Sequence, residues 1–133
     1  MRVVDASVVL GWLLTQLSPE SGPIIEDHIA GREPLVAPDL LGYEVANVLV
    51  AGARLPVDVA VATFQRFAGL GIEQFAFGTA ELEAAMELAA RFRVSAYDAS
   101  YVVLAGALGC RLITADRRLA RAIRILGIAD LAS

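Results

Sequence analysis

The chain has 133 residues, enough for one domain with its own core. Its side chains are 57 % apolar, its mean hydropathy is +0.62, its net charge is −4 and its pI is about 4.9. That balance excludes a basic coat protein for nucleic acid, and the longest uncharged run, Ala6 to Pro19, is too short to span a bilayer.

Strand and helix patterns alternate along the chain, the signature of an α/β fold with a central parallel sheet flanked by helices on both faces. Arg2–Val4 reads as an apolar strand leading into a helix over Ser7–Leu17, with Trp12 in the core. Ser18 to Pro23 reads as a loop. Ile24–Ala30 reads as a short helix with His28 on an exposed face and without a catalytic part. Leu35–Ala37 is a strand ended by Pro38, and Asp39 is placed to cap a long helix reaching Ala53. Pro56 suits the first turn of the next helix, which runs to Ala68. Ile72–Phe75 reads as a strand, Thr79 as the cap of a helix to Phe92, and Tyr97–Leu108 as an apolar helix stopped by Gly109. Arg111–Thr114 is a strand, Arg117–Leu126 an amphipathic helix, and Ile128–Leu131 a last edge strand. Nothing resembling a linker or repeat divides residues 1–133, so one domain is expected.

Four acids stand out against this pattern. Asp5 closes the first strand and Asp116 follows the strand at Arg111–Thr114, so both lie where open parallel sheets bind ligands, beyond the carboxyl ends of the strands. Glu44 shares a helical stripe with Leu40, Leu41, Val45 and Val48, and Asp98 shares one with Tyr101, Val102 and Ala105. No arginine sits one turn away to pair with either. Carboxylates ~5 Å apart repel by roughly 3 kcal/mol per pair at an effective dielectric near 20. A cluster of them must therefore take up protons or a cation. Magnesium or manganese suits such an all-oxygen site, and metal-activated water cleaves phosphodiesters without help from histidine, cysteine or lysine.

The composition agrees with that chemistry. Cys110 is the only cysteine, which excludes an internal disulfide and a cysteine-based zinc site and fits a reducing cytoplasm. His28 is the only histidine, and all eleven basic residues are arginine. The lack of lysine weighs against a receiver domain and against a haloacid-dehalogenase-type phosphatase, both of which also gather acids at strand ends. Ser7, Asn47 and Thr114 lie close enough in sequence to orient the acids, although Ser7 serves equally well as a helix cap and Thr114 as an ordinary strand residue.

The segments Val3-Val-Asp-Ala-Ser7, Pro38-Asp-Leu-Leu-Gly-Tyr-Glu-Val-Ala-Asn47, Ala96-Tyr-Asp-Ala-Ser-Tyr101 and Leu112-Ile-Thr-Ala-Asp116, in this order, resemble the PIN-domain ribonucleases, and specifically the VapC toxins of toxin–antitoxin pairs. The resemblance spans essentially the whole chain. It implies a PIN-like fold and a Mg²⁺-dependent endoribonuclease, with Asp5, Asp98 and Asp116 as metal ligands and Glu44 completing the acidic pocket. It further implies a homodimer, a VapB-like antitoxin and a structured RNA substrate such as tRNA. The remaining alternative is a non-catalytic PIN module that acts only by binding.

Two surfaces are candidates for partners. Arg117, Arg118, Arg121 and Arg124 fall on one side of the last helix, and Arg117 and Arg121 are the pair placed to meet RNA phosphates. Val57, Val59, Val61, Phe64 and Phe67 cannot all face one core, so part of the region from Val45 to Phe67 is expected to meet the antitoxin or a second subunit.

Overall fold

The computed structural model describes residues 1–15 and 19–132. Its strands are β1 (Arg2–Val4), β2 (Leu35–Pro38), β3 (Glu73–Phe75), β4 (Arg111–Thr114) and β5 (Ala129–Leu131). All pair in parallel, in the order β3-β2-β1-β4-β5. Successive strand residues point to opposite faces. Val3 and Val4 are both fully buried, as is Leu112, with Ile113 beside it nearly so. Both faces of the sheet are therefore covered, as its all-parallel pairing requires.

The helices are α1 (Ala6–Thr15), α2 (Ser21–Ile29), α3 (Leu40–Asn47), α4 (Val57–Ala68), α5 (Thr79–Phe92), α6 (Ala96–Leu108) and α7 (Arg117–Ala122). α6 lies across β1, β2 and β4 and packs against α5, while α1 gathers α2, α3 and α4. The core is built from valine, leucine and isoleucine, with Tyr101 its largest fully buried side chain. Each such aliphatic side chain contributes roughly 1.5–3 kcal/mol on burial. Trp12 is half-buried against this core, with the Arg66 guanidinium 5.0 Å from its ring centroid.

Several local expectations change. α1 begins at Ala6, and its predicted end at Leu17 lies outside the described residues, as does Ser18 of the predicted loop. Ser21, Gly22 and Pro23 form the first turn of α2, where a proline's missing N–H costs no hydrogen bond. Asp39 occupies the cap position of α3 but with helical backbone angles (φ −63°, ψ −13°) and no side-chain bond, while its backbone N–H continues the sheet to Phe75 O at 2.8 Å. Gln74 of β3 serves α3 instead, accepting from the Gly42 N–H. The long helix does reach Gly52, but Val48–Gly52 is a π turn. Pro56 and Gly78, rather than residues inside the helices, precede the first turns of α4 and α5, so Thr79 is not a cap. Ser95 caps α6, and Gly109, at φ 63°, ends it as expected. The last amphipathic helix breaks after Ala122 and resumes as a 3₁₀ turn over Arg124–Leu126.

His28 is not on an exposed face. Its Nδ1 accepts from the Leu35 N–H at 2.9 Å, which leaves Nε2–H to donate to Leu70 O at 2.7 Å. The ring thus ties α2 to the start of β2 and to the turn after α4. Val57, Val59 and Val61 remain exposed while Ala60 and Phe67 are buried, so α4 does present apolar surface outward.

Candidate active site

β1 and β4 are parallel neighbours, so the segments leaving their carboxyl ends emerge side by side. Asp5 directly follows β1, and Asp116 comes two residues after β4. α3 leaves the end of β2 and brings Glu44, while α6, lying across the central strands, brings Asp98 in its first turn. The fold delivers all four predicted acids to one edge of the sheet.

Local chemistry explains how the carboxylates are tolerated there. Asp5 itself is the cap of α1, accepting from the Ser7 N–H at 3.1 Å. Asp116 caps α7, accepting from the N–H groups of Arg118 at 2.9 Å and Leu119 at 3.1 Å. Asp98 lies in the first turn of α6, its N–H held by Ser95 Oγ at 2.9 Å. Three of the four acids thus sit at helix N-termini, where backbone N–H groups favour negative charge. Among the described residues, ion pairs gather around Arg2 and Arg111, the first residues of β1 and β4, and on Arg32; none involves Asp5, Glu44, Asp98 or Asp116.

Asp5 is the fixed point of the site, 5 % exposed. Ser7 Oγ donates to its Oδ1 and the fully buried Thr114 Oγ1 donates to its Oδ2, each at 2.5 Å. A hydroxyl has one proton. Both protons therefore go to Asp5, and each hydroxyl oxygen accepts in turn: Ser7 Oγ from the Ala115 N–H at 2.8 Å, Thr114 Oγ1 from the Asp116 N–H at 3.0 Å. Ser7 consequently bridges β1 and β4 instead of capping a helix, and Thr114 is more than a strand residue. Burial pushes the Asp5 carboxyl up to about 6 despite these hydrogen bonds, which pull it down.

The other acids are half-buried. Burial raises the Glu44 carboxyl; the Tyr101 hydroxyl, donating to Oε1 at 2.6 Å, opposes this, and the Asp98 charge adds to it. Burial also raises Asp98, reinforced by the Asp116 charge and eased by Ser95 and Arg118. Tyr101 is held firmly in its protonated form by burial and by the Glu44, Asp5 and Asp98 charges. Tyr101, Ser95 and Arg118 were not singled out as site residues from the sequence. Ser95 had a signal, since serine three residues before an acid is the pattern of a helix N-terminus. Asn47 is exposed and lines the same concavity as Glu44. Arg117 and Arg121, with Arg124, line a separate shallow concavity on α7.

The expected convergence of all four acids on one point needs refinement. Among the described residues, no three His, Cys, Asp or Glu side chains are disposed to hold an ion together. The donor set nevertheless fits magnesium, which binds through one or two carboxylates and keeps several waters. Asp5 with Asp98 or Asp116 could meet that demand, and the raised Asp5 and Asp98 carboxyls are groups whose ionised forms a cation would stabilise.

Residues 2–125 match the PIN domain family. Ribonuclease VapC3 of Pyrobaculum aerophilum is 34 % identical over 125 residues, covering 89 % of this chain and 91 % of its own. Ribonuclease VapC9 of Mycobacterium tuberculosis is 35 % identical over 122 residues, covering 90 % and 88 %. The crystal structure of PAE2754 from Pyrobaculum aerophilum superposes with a TM-score of 0.72 at 27 % identity, over 98 % of this chain and 83 % of that one. With the sheet order, the acids at its carboxyl edge and these likenesses together, the chain belongs to the PIN domain family and, within it, to the VapC ribonucleases.

Proposed function

We propose that this chain is a Mg²⁺- or Mn²⁺-dependent endoribonuclease, the toxin of a VapBC-type pair, acting in the cytoplasm as a homodimer restrained by a VapB-like antitoxin. The observation that carries the reading is the Asp5 carboxylate, buried and anchored by Ser7 and Thr114 at a sheet edge shared with Asp98 and Asp116. Asp5, Asp98 and Asp116 hold the ion. Bound there, the ion supplies an activated water and offsets charge on the phosphodiester. Glu44, steadied by Tyr101, completes the acidic pocket and orients water, while Arg117 and Arg121 contact phosphates beside it. The substrate class is structured RNA, tRNA included.

The relatives' names support the ribonuclease assignment, and the outward apolar surface of α4 supports a protein partner. That surface includes a concavity of about 380 Å³ lined by Leu49, Val50, Val61 and Phe64, among others. Among the described residues no helix is long and apolar enough to cross a membrane. The test is cleavage of total RNA by the purified, antitoxin-free chain with Mg²⁺, beside Asp98→Asn. Discrete products from the parent alone, lost in EDTA, are expected. Folded dimer that cuts no RNA pool in either metal would replace this reading with that of a non-catalytic binding module.

A further inference from the structure

Two of the site acids are each preceded by an exposed tyrosine: Tyr43 before Glu44 on α3, and Tyr97 before Asp98 on α6. Adjacent residues on a helix point about 100° apart, so each acid turns inward while its tyrosine stays outside. Tyr43 is 79 % exposed and Tyr97 63 %. Although they come from different helices, both line one concavity of about 300 Å³, together with Leu40, Glu44 and Asn47. That volume is at the small end of the roughly 300–1,000 Å³ typical of ligand sites.

We infer that this concavity holds one unpaired base of the RNA substrate, stacked on Tyr43 and Tyr97 beside the scissile phosphate; the inference rests on the ribonuclease reading above. Charge decides which part of a nucleotide enters. Among the described residues Glu44 is the concavity's only carboxylate and no arginine lines it, so a phosphate is repelled and a neutral base is not. The arginines that suit phosphates, Arg117, Arg121 and Arg124, line a different concavity. Tyrosine faces bind any base by stacking, and the Asn47 amide supplies both a donor and an acceptor for a base edge. Continuity with the acidic site follows from Glu44, which lines the concavity while its Oε1 accepts from Tyr101. A base engaged in this way cannot be paired, so cleavage belongs in loops, bulges or single strands.

The test compares metal-dependent cleavage of a loop-containing RNA by the parent, Tyr43→Leu, Tyr97→Leu and the corresponding phenylalanine variants. Each substrate is made in two forms, one complete and one abasic at the nucleotide next to the cut. The leucine variants should lose roughly 5- to 150-fold in kcat/KM, the range expected for one stacked base, while phenylalanine retains activity within about threefold. The parent should lose a similar factor on the abasic substrate, whereas the leucine variants should lose little more on it. Folding is followed by thermal melts, which should stay together because both side chains are exposed. Unchanged kcat/KM in the leucine variants, or a parent indifferent to the missing base, overturns the stacking site while leaving the nuclease intact. Leucine variants that cleave normally but lose inhibition by the antitoxin would assign the tyrosines to a protein instead. A folded parent that cleaves no RNA with either metal would remove the nuclease reading, and this site with it.

Discussion

Replacing Asp5 with asparagine should stabilise the metal-free protein at neutral pH while destroying its metal response. Burial raises the Asp5 carboxyl from 3.8 to about 6. Between those values the folded chain binds more protons at this residue than the unfolded chain does, so its stability falls as pH rises through that window. Above pH 6 the cost is fully present. A shift of about two units corresponds to roughly 3 kcal/mol. An asparagine there is neutral at every pH and close in shape. Its amide oxygen can accept from the Ser7 N–H, and its NH₂ can donate to Thr114 once that hydroxyl turns. In EDTA, guanidinium melts should show the parent losing about 2–3 kcal/mol relative to Asp5→Asn between pH 4 and pH 7. Glu44 and Asp98 are raised as well, and push both proteins in the same direction. Their effect largely cancels in the difference. Adding Mg²⁺ at pH 7.5 should then raise the midpoint of the parent and leave the variant where it was. Parallel pH curves for the two proteins, or a variant less stable than the parent at neutral pH, would refute the idea that an uncompensated buried charge sits at this edge.

Three further perturbations separate the parts of the site. Tyr101→Phe removes the hydrogen bond that lowers the Glu44 carboxyl, so the acid limb of the pH–rate profile should move to higher pH; an unmoved limb would mean that Glu44 does not act in its ionised form. His28→Ala should cost about 1–3 kcal/mol by leaving the Leu35 N–H and Leu70 carbonyl without their bridge, measured by chemical denaturation, with cleavage per folded molecule unchanged. Arg117→Ala with Arg121→Ala should weaken RNA cleavage and reduce its salt dependence without changing the melting temperature; undiminished cleavage in low salt would remove these residues from the RNA surface.

What the sequence revealed and what it withheld divide along a physical line. Asp5 and Asp116 were legible because strand ends are local and the carboxyl edge of a parallel sheet is a general binding place. Glu44 and Asp98 were legible because a charge on an apolar helical stripe is conspicuous. Features that depend on a distant partner were not. Tyr101 looked like one more core residue until α3 brought Glu44 against it, and His28 looked solvated until β2 and the turn after α4 closed around it. Asp39 had the right residue type for a cap, but its backbone is helical there instead of extended. The π turn at Val48–Gly52 lies in a segment whose composition suits an α-helix equally well.

The Thr114–Asp5 hydrogen bond joins residues 109 positions apart, and that separation sets a clock. β1 is made before the other strands of this sheet, yet its second neighbour, β4, is the fourth of the five described strands to be made. Until Thr114 arrives, the Asp5 carboxylate lacks one of its two hydroxyl donors and Asp116 does not yet exist. Contacts this distant in sequence also form slowly. A polypeptide interrupted before Arg111 would therefore carry two of the pocket's acids on helices and a third on an unfinished sheet, with no finished place to gather them. By its topology, the acidic edge proposed to cut RNA stays unfinished until β4 and Asp116 have been made.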